Sequence, residues 1–156
     1  MLWSRHLSDH DATVECVLAR VGLDGVDQRD PYAVILALGW RVEPLTTHGP
    51  EEGRTLAESR VVQVRFAGSD PYITKVLAHE CGHVVLIESG HGLPHCECCA
   101  DQIGRAVCLG RAGLLRELRD LSPREVAELY APVFLASEVA QRIAEVRHAM
   151  RRTGSG

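Results

Sequence analysis

Long apolar runs are missing from this 156-residue chain. The longest, Tyr32 to Leu38 followed by Gly39-Trp40, is less than half of what a membrane helix needs, which points away from a membrane-spanning protein. No secretory core follows Met1-Leu2-Trp3-Ser4-Arg5-His6 either, because the chain turns acidic at Asp9-His10-Asp11. The expectation is a soluble, cytoplasmic protein. Lysine is nearly absent, Lys75 standing alone among 17 basic residues, and neither charge sign dominates: the formal net charge is -4. Acidic residues gather before residue 60 and a slight basic excess follows residue 110, a distribution that argues against a general nucleic-acid surface. Internal repeats and low-complexity tracts are also lacking. The six cysteines would suit disulfides in an exported chain, but with no export signal, and four of them between Cys81 and Cys99, they read as reduced thiols.

What is present is apolar residue in quantity, 46% of the chain, enough to bury a core without covalent staples. A single domain over residues 1–152 is expected, with 153–156 as a flexible tail. Val14, Val17, Leu18 and Val21 recur at helical spacing and predict a first helix over Asp9 to Val21. Asp30 and Pro31 form a helix-start signal for Tyr32 to Leu38, closed by Gly39. Arg41 to Leu45 alternates as a strand, Thr46 to Gly53 reads as a loop, and Arg60 to Phe66 is the strongest strand pattern, so residues 40–66 should form a small sheet. Gly68-Ser69-Asp70-Pro71 opens a largely buried helix through Ser89. Pro94 is expected to open the next, from about His95 to Leu109. Ser122-Pro123-Arg124-Glu125 has the form of a capping box for a helix through Tyr130, which Pro132 ends. Ser137 is the expected cap of a last helix reaching about Arg151. The fold class that results is α+β, mostly helical, with a small β-sheet beside one central helix and a C-terminal helix pair over residues 122–152.

The central helix carries His79-Glu80-Cys81-Gly82-His83. Two histidines four apart share one helix face and can bind one metal ion, while Glu80, beside the first, can reach a water at that ion and serve as general base. Spacing alone gives two ligands. A third appears where a reversing chain would return: in Glu97-Cys98-Cys99-Ala100-Asp101 the two carboxylates are again one helical turn apart. Glu97 is the expected third ligand. Asp101 is placed to take the ring proton of His79 and fix its tautomer. One Zn2+ per chain is the expected cofactor, since three protein ligands leave room for a water.

At these residues the chain resembles the ImmA/IrrE family of metallopeptidases. Leu38-Gly39-Trp40-Arg41-Val42 looks like that family's helix-to-strand entry, Val61 to Phe66 like its central strand, and Leu77 to His83 like its active-site helix. Glu97 to Asp101 resembles its Glu-x-x-Ala-Asp helix and Val126 to Ile143 its closing helix pair, so the likeness spans nearly all of residues 30–147. It implies a zincin-like, gluzincin-type domain with a catalytic core over 30–110. It also implies a cytoplasmic peptidase that cuts a helix-turn-helix repressor or antitoxin from a phage, mobile element or stress-response locus. Two departures stand out. Gln102 to Gly110 replaces the family's aromatic and alanine-rich stretch with its Met-Pro turn, and cysteines flank Glu97.

Those cysteines allow several readings. Cys96, Cys98 and Cys99 are expected to be inert, buried thiols on a packed helix. Against that stand a second zinc site using His91 or His95 with Cys96 and Cys99, redox control, and the use of Cys96, Cys99 or His95 as alternative ligands in place of Glu97. Cys81 should face away from the metal. For the oxyanion of a hydrolytic step, Tyr72, Tyr130, His91 and His148 are available and spacing selects none. The competing function is a DNA-binding or metal- or redox-sensing regulator on a peptidase fold, with Arg142, Arg147, Arg151 and Arg152 on the last helix. Glu138 and Glu145 interrupt that basic face, so direct nucleic-acid binding is not expected.

Overall fold

A computed structural model describes residues 10–26, 28–90 and 94–154. The predicted first helix forms as α1, His10–Ala19, burying Val14, Val17 and Leu18. Helix α2, Pro31–Ala37, starts as expected: the Asp30 carboxylate accepts the Tyr32 N–H at 3.0 Å. Gly39, at φ 85°, reverses the chain into β1, Arg41–Pro44. Two further strands follow, β2 (Gly53–Leu56) and β3 (Val61–Val64), in the order β1-β3-β2. β1 runs parallel to β3 and β2 antiparallel to it, with Val61 opposite both Arg41 and Leu56. The loop expected over Thr46 to Gly53 therefore ends in an edge strand. Its four residues are half-buried, and none alternates strongly enough to announce it.

Helix α3, Asp70–Glu88, is the longest and is buried almost throughout from Val76 to Leu86. The Ser69 hydroxyl caps it, accepting the Tyr72 N–H. At its far end Glu88 accepts the Trp40 indole N–H at 2.8 Å and pairs with Arg60 at 2.8 Å, tying the helix to the start of the sheet. Helix α4, Glu97–Cys108, crosses α3 at backbone contact. A Cβ on Gly82 would lie 1.9 Å from the Ala100 carbonyl oxygen, and one on Gly104 would lie 2.2 Å from that of Ala78. Only glycine permits such an approach.

The expected start of α4 needs correction. Pro94 lies in the preceding turn, the helix begins at Glu97, and the Cys96 sulfur accepts the Cys99 N–H as its cap. Sequence reading also passed over α5, Arg111–Asp120. The capping box forms as predicted at α6, Pro123–Tyr130, with Ser122 and Glu125 bonding reciprocally. The last helix, α7, Ala136–Thr153, starts at Leu135 with no side-chain cap, so Ser137 lies inside it, and it includes Thr153, which was expected in the tail.

One apolar cluster joins α1, α2, the sheet, α3 and α4, and a second joins α5, α6 and α7 to Ala78 of α3 and Cys108 of α4. Two buried arginines stitch the ends of the chain to the core. Arg29 donates to the carbonyls of Ala106 and Val107 and pairs with Glu15. Arg142 donates to the Leu109 carbonyl at 3.0 Å and forks onto the Asp11 carboxylate at 2.9 and 2.5 Å. Buried charge is tolerable because each guanidinium is fully engaged. No described helix is long and apolar enough to cross a membrane.

Candidate metal centre

The α3–α4 crossing brings the two helical pairs of the sequence together. The ring nitrogen Nε2 of His79 lies 2.6 Å from Glu97 Oε2, and that of His83 lies 3.4 Å from the same oxygen. Each imidazole is held from behind: His79 Nδ1 meets Asp101 Oδ1 at 2.5 Å, and His83 Nδ1 donates to the Pro94 carbonyl at 2.9 Å. With Nδ1 carrying the proton, both Nε2 lone pairs point to a common centre. The rings stand nearly perpendicular, 82° apart. His79, His83 and Glu97 thus form a candidate ligand set whose donor atoms lie within 4.8 Å of one another. His83 is buried, while Glu97, in the first turn of α4, faces solvent.

Glu80 points into the same cleft but is 5% exposed. Its carboxylate accepts the Thr55 hydroxyl at 2.6 Å, and Gly53 lies so close that a Cβ there would meet Glu80 Oε1 at 2.8 Å. Burial raises the Glu80 pKa above the ordinary carboxylate value, and the Thr55 hydrogen bond and the two histidines partly offset it. Thr55 and Gly53 escaped sequence reading, because nothing in the spacing of a short edge strand signals a contact with a helix 25 residues on.

The cleft measures about 830 Å3 and runs between β2 and the exposed end of the α3–α4 crossing. Glu52, Arg54, Tyr72, Lys75 and His95 line it together with the candidate ligands. No family model matches the chain, and neither does any curated protein or solved structure.

The remaining sequence candidates separate cleanly. His95 reaches the cleft but does not join the donor group, and Cys96 and Cys99 fall in a second group with Cys98. Cys81 is fully buried, and burial pushes its thiol pKa well up, as expected of a packing residue. The expectation of buried thiols fails for Cys98, which is exposed, and is met only in part for Cys96 and Cys99, which are half-buried. Cys96 caps α4, Cys98 faces solvent from its first turn, and Cys99 packs in part against the main apolar cluster. Tyr130 is engaged elsewhere, its hydroxyl donating to Glu117 at 2.6 Å. His148 is exposed on α7 and does not line the cleft. His91 lies outside the described residues.

The hydrogen bond to Asp101 raises the His79 pKa to about 9, against 6.5 ordinarily, and burial opposes it only in part. Asp101 is lowered by the same bond. For a histidine raised in the folded state, the stabilisation is complete below about pH 6.5 and is lost as pH climbs to about 9. In chelator-treated protein, the melting temperature should therefore fall over that window, and this component of the fall should shrink in Asp101→Asn, where only Glu80 and Glu97 still raise His79. Zinc affinity should rise over the same window, since the proton competes with the metal for His79.

Proposed function

We propose that this chain is a zinc-dependent endopeptidase of ImmA/IrrE type with a zincin-like catalytic core. The carrying observation is the convergence of two histidines and a glutamate on one point, beside a buried carboxylate, in an open cleft. The donor chemistry fits the metal. Tetrahedral ligation at about 2.0–2.2 Å spaces neighbouring donor atoms roughly 3.4 Å apart. The His83–Glu97 separation of 3.4 Å already has that value, and the 2.6 Å from His79 to Glu97 needs to open by less than 1 Å. Two imidazoles, one carboxylate and no thiolate are the ligand set of a catalytic site that keeps a position for water.

Bound there, zinc supplies Lewis acidity toward a carbonyl oxygen and makes a water more acidic. The protein's own work falls to Glu80, which accepts the proton of the attacking water and returns it to the leaving amine. Its burial raises its proton affinity, and the Thr55 hydrogen bond orients the carboxylate. The substrate has a natural track. β2 pairs with β3 along one edge only among the described residues, and the segment from Glu51 to Thr55 lines the cleft. An extended peptide can add to that edge by backbone hydrogen bonds. The resemblance makes the substrate a helix-turn-helix repressor or antitoxin, cut in the cytoplasm by a selective regulator.

The DNA-binding alternative loses one of its four arginines, since Arg142 is buried against Asp11 and Leu109. Metal analysis of purified protein tests the main reading. About one zinc per chain is expected at this centre, with Glu97→Ala lowering its occupancy sharply and Asp101→Asn weakening affinity about 10–100-fold. Zinc retained undiminished in a His79→Ala, His83→Ala double variant would sink the site. Thr55→Val tests the general base separately. Removing the hydroxyl removes the largest of the influences that hold the Glu80 pKa down, so the acid limb of the pH–rate profile should move to higher pH while zinc content stays constant.

A further inference from the structure

Among the described residues, one other set of side chains is close enough to grip an ion. The sulfurs of Cys96, Cys98 and Cys99 lie within 4.8 Å of one another, and those of Cys96 and Cys98 are 3.4 Å apart. All three thiols are free. They come from a single stretch: Cys96 caps α4, its sulfur 3.4 Å from the Cys99 nitrogen, while Cys98 and Cys99 occupy the first turn. Cys99 packs in part against the main apolar cluster, but a core role does not account for Cys96 or Cys98. Cys81 and Cys108 are the cysteines that fill the core, and these three meet solvent in whole or part.

We infer that Cys96, Cys98 and Cys99 form a second metal site, separate from the histidine centre, for one soft, thiophilic cation of the Zn2+ or Cu+ kind. Thiolates select such ions over Mg2+ or Ca2+. A tetrahedral ion with metal–sulfur bonds of about 2.3 Å holds its sulfurs roughly 3.8 Å apart. The Cys96–Cys98 pair is inside that separation and the whole group is within 4.8 Å, so closure takes movements of about 1 Å or less. On binding, each thiol releases its proton to solvent and its sulfur donates an electron pair to the ion. No oxidant or reductant is needed. The group contains neither His95 nor a carboxylate, so the fourth position of a tetrahedral ion opens to water on the exposed side of Cys98.

The site bears on the first centre through covalent continuity. Glu97 sits between Cys96 and Cys98, and from that turn it reaches His79 and His83. An ion on the thiolates pins the turn that carries Glu97, a regulatory consequence that rests on the peptidase reading, although the thiolate site itself does not.

Cadmium titration of the full chain, already loaded with zinc at the histidine centre, tests the site through the ultraviolet absorption of thiolate-to-metal charge transfer. The band should saturate at about one equivalent per chain. It should vanish in the Cys96→Ser, Cys98→Ser, Cys99→Ser variant and persist in Cys16→Ser and in the His79→Ala, His83→Ala variant. Should the triple variant not fold, Cys98→Ala alters one exposed residue and should weaken cadmium binding at least tenfold. No band in the wild-type chain, a band surviving in the triple variant, undiminished binding in Cys98→Ala, or a band lost with the two histidines would each overturn the proposal. A band that behaves as expected in a protein that cuts no peptide supports the thiolate site and counts against the peptidase reading alone.

Discussion

Replacing Glu80 with glutamine should leave zinc content unchanged and slow peptide cleavage by about 10²–10⁴-fold. The substitution is close to isosteric, which matters at a residue only 5% exposed and packed against Gly53. The amide can keep the Thr55 hydrogen bond through its carbonyl oxygen, so the fold has little reason to respond. What it cannot do is accept a proton from water. The donor group, His79, His83 and Glu97, does not include Glu80, so metal retention and loss of rate should separate. Zinc content by elemental analysis and hydrolysis of a fluorogenic peptide library, measured on the same preparations, check both halves. A glutamine variant as fast as the wild type would remove Glu80 from the chemistry and leave the centre as a metal-holding site alone.

The placement of these residues was legible in the sequence because the relevant order is local. His79 and His83 are one turn apart, Glu97 and Asp101 likewise, and helical periodicity places each pair without any tertiary knowledge. The caps at Asp30 and Ser122 were legible for the same reason: side-chain-to-backbone bonds over two or three residues are written in adjacent letters. Thr55 was not, because its partner lies across the sheet-to-helix interface, and β2 owes its existence to pairing with β3 rather than to its own alternation. Helix α5 was overlooked between two stronger signals, although Leu114 is buried and Leu115 and Leu118 pack against the same cluster. The misplaced start of α4 has a definite cause. Proline at a helix's first position is a good rule, but at Pro94 the carbonyl is committed to His83 Nδ1, and the Cys96 sulfur, an unusual cap, takes over the start.

The centre itself depends on two glycines that carry no chemistry. His79 and His83 belong to one helix and Glu97 and Asp101 to another, so the distance between the two axes decides whether their donor atoms converge. Gly82 and Gly104 set that distance from opposite sides of the contact, Gly82 against Ala100 and Gly104 against Ala78. Gly82→Ala should therefore act on stability and metal together. Its new Cβ would stand 1.9 Å from a backbone oxygen, which no side-chain rotation can relieve, so the helices must separate. The expected cost is about 3 kcal/mol or more, a fall in melting temperature of about 6–12 °C for a domain of this size. The same separation carries Glu97 away from His79 and His83, so zinc affinity should drop as well, and excess zinc should restore part of the lost stability by mass action. Gly154→Ala is the matched control: its Cβ would come no nearer than 3.5 Å to the Met150 carbonyl oxygen, an ordinary contact, and little change is expected. If Gly82→Ala melts with the wild type while holding its zinc, the close crossing is not what assembles the site.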